Sequence, residues 1–207
     1  MRVIIAEEEK EIQQSYQLRF DTMCRDLGWL SSGDYAVPEE KDEYDAGQSI
    51  PFLAVDATGT AVGTSRIILA GAVQLPIERH FELYPREDIV NQHGELSCAV
   101  EISRFIVSPA AVSRHHEITL MLCMTMLGRL IRMGASHAYV SADHRFFRLL
   151  RMLGIRFEQI GAPKFYMGSK TVPGITNLAV LAARLEKERP MLFQMTNLEA
   201  AEQRQSS

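Results

Sequence analysis

The sequence predicts a mixed α/β domain: a mixed β-sheet with helices on its faces. Three observations predict it. Strand-type runs alternate with runs of helical period along most of the chain. Two of the strand-type runs, 50–56 and 61–70, flank Ala57-Thr58-Gly59-Thr60, a hairpin turn, so part of the sheet is antiparallel. A run of β-formers at 100–107 is followed, beyond Ser108-Pro109, by a helix apolar almost all round in its middle, which places both in the core.

Taken in order, residues 2–6 are a short apolar strand. Residues 7–26 are a helix whose acids crowd the first turn, where they suit the helix dipole. Ile12, Tyr16, Arg19 or Phe20, and Met23 recur at helical spacing, and Gly28 ends the run. Residues 31–49, with Gly33, Pro38, Gly47 and several acids, are a long loop; such loops in compact domains are functional or disordered. After the hairpin, Leu75-Pro76-Ile77-Glu78 opens a short helical segment through Phe81, and 85–96 is polar loop. The helix after strand 100–107 spans 116–133, and Gly134 caps it. A buried strand at 138–142, a basic amphipathic helix at 144–153 and a strand at 155–160 follow. Residues 161–174 are irregular with room for a bulged strand, and 177–182 is either a last strand or the start of a helix running to Lys187. The tail 203–207 is expected to be mobile.

The chain of 207 residues suffices for one domain with a sizeable core. It opens without a signal-peptide pattern, and no uncharged run reaches membrane-spanning length. Cys24, Cys98 and Cys123 are odd in number and lack metal spacing, as expected of reduced thiols in a cytoplasmic protein. His115, His116 and His144 do not form a ligand set either, so no metal is expected. Net charge is −4, but residues 1–100 carry 18 acids and 8 bases, whereas 101–207 carry 8 acids and 14 bases. That asymmetry is either uneven surface charge or the mark of a cationic partner for the first half and an acidic one for the second. Nucleic acid is disfavoured: there is no dense basic run and no aromatic-interleaved basic motif.

The stretch that does not read as plain scaffold is Val100-Glu101-Ile102-Ser103-Arg104-Phe105-Ile106-Val107. Strict alternation puts Glu101, Ser103 and Phe105 on one face and Val100, Ile102, Arg104 and Ile106 on the other. An acid and a guanidinium three residues apart on a core strand need partners or a function. With Asp42, Asp45 and Arg66 they read as one ion-pair cluster. Glu101 is either paired to an arginine or a general base; Arg104 is either that partner or a group positioning an acyl donor. Ser103 is either satisfied by backbone or aimed at a reacting carbonyl.

The element order and the buried helix after the central strand resemble the fold of the Gcn-five-related N-acetyltransferases, a three-layer α-β-α arrangement. Those coenzyme A enzymes have a glycine-rich turn after that strand, which holds pyrophosphate on backbone N–H groups. Here Ser108-Pro109-Ala110-Ala111-Val112-Ser113-Arg114-His115 has no glycine and one residue without an N–H. An acyl chain carried on an acyl carrier protein is therefore expected over acyl-CoA.

More specifically, Arg19, Trp29, Asp42, Asp45, Arg66, Phe81, Glu101 and Arg104 stand in the order and approximate spacing of the acyl-homoserine lactone synthases. The resemblance runs from about residue 3 to 160. It is carried by Asp42-Glu43-Tyr44-Asp45, Gly63-Thr64-Ser65-Arg66 and Glu101-Ile102-Ser103-Arg104-Phe105. Met23 departs, standing where that family usually has Phe. The N-acyl amino acid synthases and exosortase-associated acyltransferases share the same acidic and Glu-x-x-Arg patterns; Leu75-Pro76-Ile77-Glu78 and residues 155–170 are closer to them.

The resemblance implies an acyltransferase that moves a fatty acyl group to the amine of S-adenosylmethionine, as substrate and not tightly bound cofactor, with lactonisation releasing methylthioadenosine. Its rivals are acylation of a free amino acid and a non-catalytic acyl- or carrier-binding module. Residues 1–95 would form the amine lobe, with Arg19, Met23, Trp29, Asp42, Asp45, Arg66 and Phe81 as contacts. Residues 96–190 would hold the donor and chain, with Phe105, Met121, Met124 and Val140 along the chain; Met126 belongs to the same methionine run. Val140, where some synthases carry Thr, suggests a chain without a 3-oxo group. Arg148 and Arg151, with Arg145, Arg156 and Lys164, are candidates for docking the carrier.

Overall fold

The β-branched runs of the first half pair as a meander. In this computed structural model, which describes residues 1–71, 73–85 and 99–197, β1 (Arg2–Ile5) pairs with β2 (Ser49–Val55), β2 with β3 (Ala61–Leu69), and β3 with β4 (Ala99–Val107), all antiparallel. β4 then pairs in parallel with β5 (His137–Asp143). β5 pairs antiparallel with β8 (Ser169–Asn177), which also receives β6 (Glu158–Gln159) and β7 (Lys164–Tyr166). The result is one mixed sheet of eight strands crossing both halves of the chain. The lobe boundary near 95, most of the polar loop at 85–96, Cys98 and the tail 203–207 lie outside the described residues.

The helices divide between the two faces. α3 (His115–Arg132) lies on one face with α4 (His144–Met152), α5 (Leu178–Glu188) and α6 (Pro190–Met195); Ile118, Leu122, Met126, Leu150, Leu178 and Leu181 join Phe52, Ile67 and Val100 in the main core. Gly63 on β3 is required here, because a Cβ would stand 2.7 Å from the Ile118 side chain. α1 (Glu9–Phe20) and α2 (Pro76–His80) serve the other face, where Tyr44, Ile68, Leu75, Ile77, Phe81 and Tyr139 form a second cluster. The expected helix 7–26 is α-helical only through Phe20 and continues as a π-helical turn, Asp21–Asp26, before Gly28 at φ +61°. Glu43–Asp45 is a single 3-10 turn capped by the Asp42 side chain.

Near the C-terminus one expectation is corrected and two open ones are resolved. The strand anticipated at 155–160 shrinks to Glu158–Gln159. The irregular stretch contains β7 and the long strand β8, joined by a turn with Met167 at φ +46° and Gly168 at φ +79°. The alternative at 177–182 resolves as helix, with the Asn177 side chain accepting from the Val180 N–H at 3.0 Å.

The decisive irregularity is in β4. Thr64 pairs with Ile106 and Arg66 with Ser103, so Ser65 alone faces both Arg104 and Phe105: a β-bulge. Arg104 takes φ +52°, which a side chain rarely adopts. The extra residue overturns strict alternation. Arg104 joins Ser103 on the α1 face, and Phe105 turns to the α3 face, where its ring lies 4.6 Å from that of Phe146. β4 and β5 pair only as far as Ile102 and Val140; both strands run on beyond that point without pairing to each other, which leaves a notch in the ladder.

Candidate active site

Around this notch the α1 face carries a closed lattice of charge. Arg19 on α1 donates to both Asp45 oxygens, at 3.0 and 2.9 Å, and to Glu40. Arg66 on β3 donates to both Asp42 oxygens, at 2.7 and 2.6 Å, and pairs with Asp45 at 2.8 Å. Arg104, from the bulge, donates to Glu40 at 2.8 Å and to Asp42 at 3.1 Å. Three guanidiniums thus match three carboxylates, with Arg19, Arg66 and Glu40 each 1–2% exposed. Such burial is tolerable only because nearly every charge is doubly bonded. Burial would raise the Glu40 carboxyl, but Arg104 and Arg19 outweigh it and hold the group at about 2. Asp45 is lowered for the same reason, with Arg19 and Arg66 overcoming its burial.

Glu101 stands apart from this lattice. Its Oε2 accepts from the Ile77 N–H on α2 at 2.8 Å, and its Oε1 accepts from the Ser141 hydroxyl on β5 at 3.4 Å. It is 1% exposed, and burial pushes its carboxyl up to about 8. Arg104 is therefore not its partner: the five-charge cluster expected from the sequence loses Glu101 and gains Arg19 and Glu40. Ser103 accepts from Arg66 Nε at 2.9 Å, which leaves its own hydroxyl proton to donate elsewhere.

A hairpin closes over these groups. Tyr166 on β7 packs edge-on against Phe81, ring centroids 5.4 Å apart, and Met167 Sδ accepts from Arg104 at 3.4 Å. Trp29 lies against the turn: a Cβ on Gly168 would stand 2.3 Å from the indole. Met23 is buried beneath, its carbonyl accepting from the Trp29 N–H at 2.8 Å. The amine-contact residues foreseen in the sequence, Arg19, Met23, Trp29, Asp42, Asp45, Arg66 and Phe81, accordingly belong to one wall and its supports.

On the opposite face lies an apolar pocket, partly open to solvent. Phe105, Val140 and Ile102 line it with Cys123, Met126 and Phe146. Two chain-lining expectations fail: Met121 and Met124 are not among the lining residues, and Met124 is instead 1% exposed in the packed core. α3 is apolar all round, so its sequence did not show which methionine faced the cavity. Arg148 and Arg151 are exposed on α4, as docking would require, whereas Lys164 reaches across to α2. Glu40 and Tyr166 were missed altogether. Glu40 sits in the acidic run Glu39-Glu40-Lys41-Asp42-Glu43, where no spacing marks one acid as buried.

The site thus combines a buried carboxyl beside the end of the β4–β5 ladder, a charged lattice on one face and an apolar pocket on the other. Residues 4–186 match the family described as autoinducer synthase. The chain belongs to that family. It is an acyltransferase. Among solved structures, TofI, in a ternary complex with an inhibitor and MTA, is 21% identical, with a TM-score of 0.67 over 93% of this chain and 100% of its own. BjaI, a CoA-dependent acyl-homoserine lactone synthase with SAM and isopentyl-CoA, is 18% identical, with a TM-score of 0.64 over 89% of this autoinducer synthase and 88% of its own chain. FeeM, an N-acyl amino acid synthase from uncultured soil microbes, is 18% identical, with a TM-score of 0.62 over 89% and 95%. No curated protein sequence matches significantly. These likenesses place the synthase in the mixed-sheet acyltransferase fold, which the bulged strand and its notch serve.

Proposed function

We propose that this synthase acylates the amine of S-adenosylmethionine from a fatty acyl thioester on acyl carrier protein, giving an acyl-homoserine lactone and methylthioadenosine. The observation carrying the proposal is the placement of Glu101: a carboxyl buried at the end of the β4–β5 ladder, held by the Ile77 N–H and the Ser141 hydroxyl and facing no arginine of the lattice, so that burial pushes it up to about 8. A free α-amine has a pKa of about 8, so the two groups can exchange a proton at small cost, and only the neutral amine attacks a thioester. The acyl chain fills the cavity behind Phe105 and Val140. Its carbonyl lies in the notch, where backbone N–H groups freed from strand pairing and the Ser103 hydroxyl can donate to the developing oxyanion. Nitrogen attacks the carbonyl carbon, Glu101 takes the amine proton, the C–S bond breaks, and that proton passes to the departing thiolate. The acceptor carboxylate then displaces methylthioadenosine from the γ-carbon and closes the lactone.

The carrier as donor is favoured by the segment after β4: Pro109–Arg114 is 3-10, begins on a residue lacking an N–H, and Ala111 departs from helical angles. That is a poor cradle for pyrophosphate. The second reading, acylation of a free amino acid, is favoured by Leu75-Pro76-Ile77-Glu78 and by the likeness to FeeM. Mass spectrometry after incubation with acyl-carrier protein decides between them. Acyl-homoserine lactone and methylthioadenosine from S-adenosylmethionine support the first reading; product only from free amino acids replaces it with the second.

A further inference from the structure

Every reading of the acceptor, S-adenosylmethionine or a free amino acid, gives it a carboxylate beside its amine. The charged lattice offers that carboxylate nothing, since Arg19, Arg66 and Arg104 are each matched to Glu40, Asp42 or Asp45. Arg79, at the end of α2, is paired with Glu43. Lys164 differs. Among the described residues no carboxylate pairs with it. Its Nζ instead donates to the His80 carbonyl and stands 4.9 Å from the centre of the Phe81 ring and 5.9 Å from that of Tyr166. Phe81 ends α2, and its N–H donates to the carbonyl of Ile77, whose own N–H holds Glu101.

We propose that Lys164 is the acceptor-carboxylate residue: its ammonium, seated on Phe81 and Tyr166, pairs with the carboxylate of the amine substrate while Glu101 faces the amine. This deepens the proposed function and rests on the acceptor being an α-amino acid or its derivative. The aromatic pair holds the ammonium without neutralising it. Selectivity follows, because amines lacking a carboxylate leave the cation unmatched, and a thioester-bearing site would otherwise acylate amines indiscriminately.

The test compares wild type, K164M and K164R on S-adenosylmethionine and on decarboxylated S-adenosylmethionine, following thiol release at saturating acyl donor. Wild type should show a KM about tenfold lower for the carboxylated acceptor. K164M should raise that KM about tenfold with kcat little changed and leave the decarboxylated acceptor unaffected, so that the two acceptors converge. K164R should recover most of the loss. Equal loss on both acceptors would make Lys164 a clamp between the hairpin and α2, and an unchanged KM would remove it from recognition; either result overturns the proposal. If wild type acylates only free amino acids, the S-adenosylmethionine reading fails, yet the same K164M penalty should appear between an amino acid and its decarboxylated amine.

Discussion

Glu101 joins two demands that oppose each other. As an acid whose folded pKa is raised by burial, it holds its proton more tightly folded than unfolded. Its contribution to stability therefore falls as pH rises from its ordinary value of 4.5 toward about 8. Each tenfold difference in proton affinity between the two states is worth roughly 1.4 kcal/mol at most. Activity runs the other way, since the carboxylate that accepts the amine proton forms only as pH climbs through that range. Glu101→Gln should thus abolish most amide formation and yet raise Tm above wild type at pH 8.5, with the two melting alike near pH 4. Thermal melts and thiol-release rates at both pH values check this. A near-wild-type rate would end the base assignment, and an equal Tm at pH 8.5 would end the burial argument. The neighbouring acids were legible unevenly. Asp42, Asp45 and Glu101 stand in patterned contexts, but Glu40 is set off from Glu39 only by its tertiary partners, Arg19 and Arg104, which sequence spacing does not encode.

At the scale of elements, the β7–β8 hairpin and the β4 bulge both bring side chains to the charged lattice. It brings Tyr166 against Phe81, Met167 to Arg104 and Gly168 under Trp29. The sequence concealed it because β8 contains Pro173 and Gly174, which argue against a central strand. They are tolerated where the Gly174 backbone meets the Phe147 ring, which would lie 2.6 Å from an added Cβ. The bulge was hidden for a related reason. Alternation is the default reading of a strand, and the one-residue insertion that flips Phe105 into the core becomes visible only from the register against β3. Gly168→Ala should open the hairpin, because the methyl would collide with the indole at 2.3 Å and φ is +79°. Trp29 is the protein's one tryptophan, so its emission should shift to the red, and KM for the acceptor should rise severalfold with KM for the donor unchanged. An unaltered spectrum would mean that the indole and the turn do not clasp.

Across the whole molecule, the charge asymmetry visible in the sequence acquires a spatial meaning. The excess acids of the first half supply Glu40, Asp42 and Asp45, which are consumed internally by Arg19, Arg66 and Arg104. Of the bases of the second half, Arg104 is consumed in this way, but Arg145, Arg148 and Arg151 are exposed on α4, with exposed Arg156 just beyond it. α4 also bears Phe146, which lines the cavity, so a partner docked on its outer face would deliver a thioester close to the notch. An acidic carrier protein is steered by such a surface, and the attraction is screened over about 10 Å at 0.1 M salt. CoA is small and brings no protein surface to match. Reversing two of these charges, in R148E/R151E, should therefore raise KM for the acyl-carrier thioester on the order of tenfold and flatten its salt dependence. The same variant should leave KM for the corresponding acyl-CoA and for the acceptor near wild type, since neither arginine touches the cavity lining or the charged lattice. Steady-state kinetics with both donors at low and moderate salt separate the terms. A matching rise for both donors would mean a damaged site and not a lost dock. No change with either would free α4 of any docking role and shift the preference of this enzyme toward CoA.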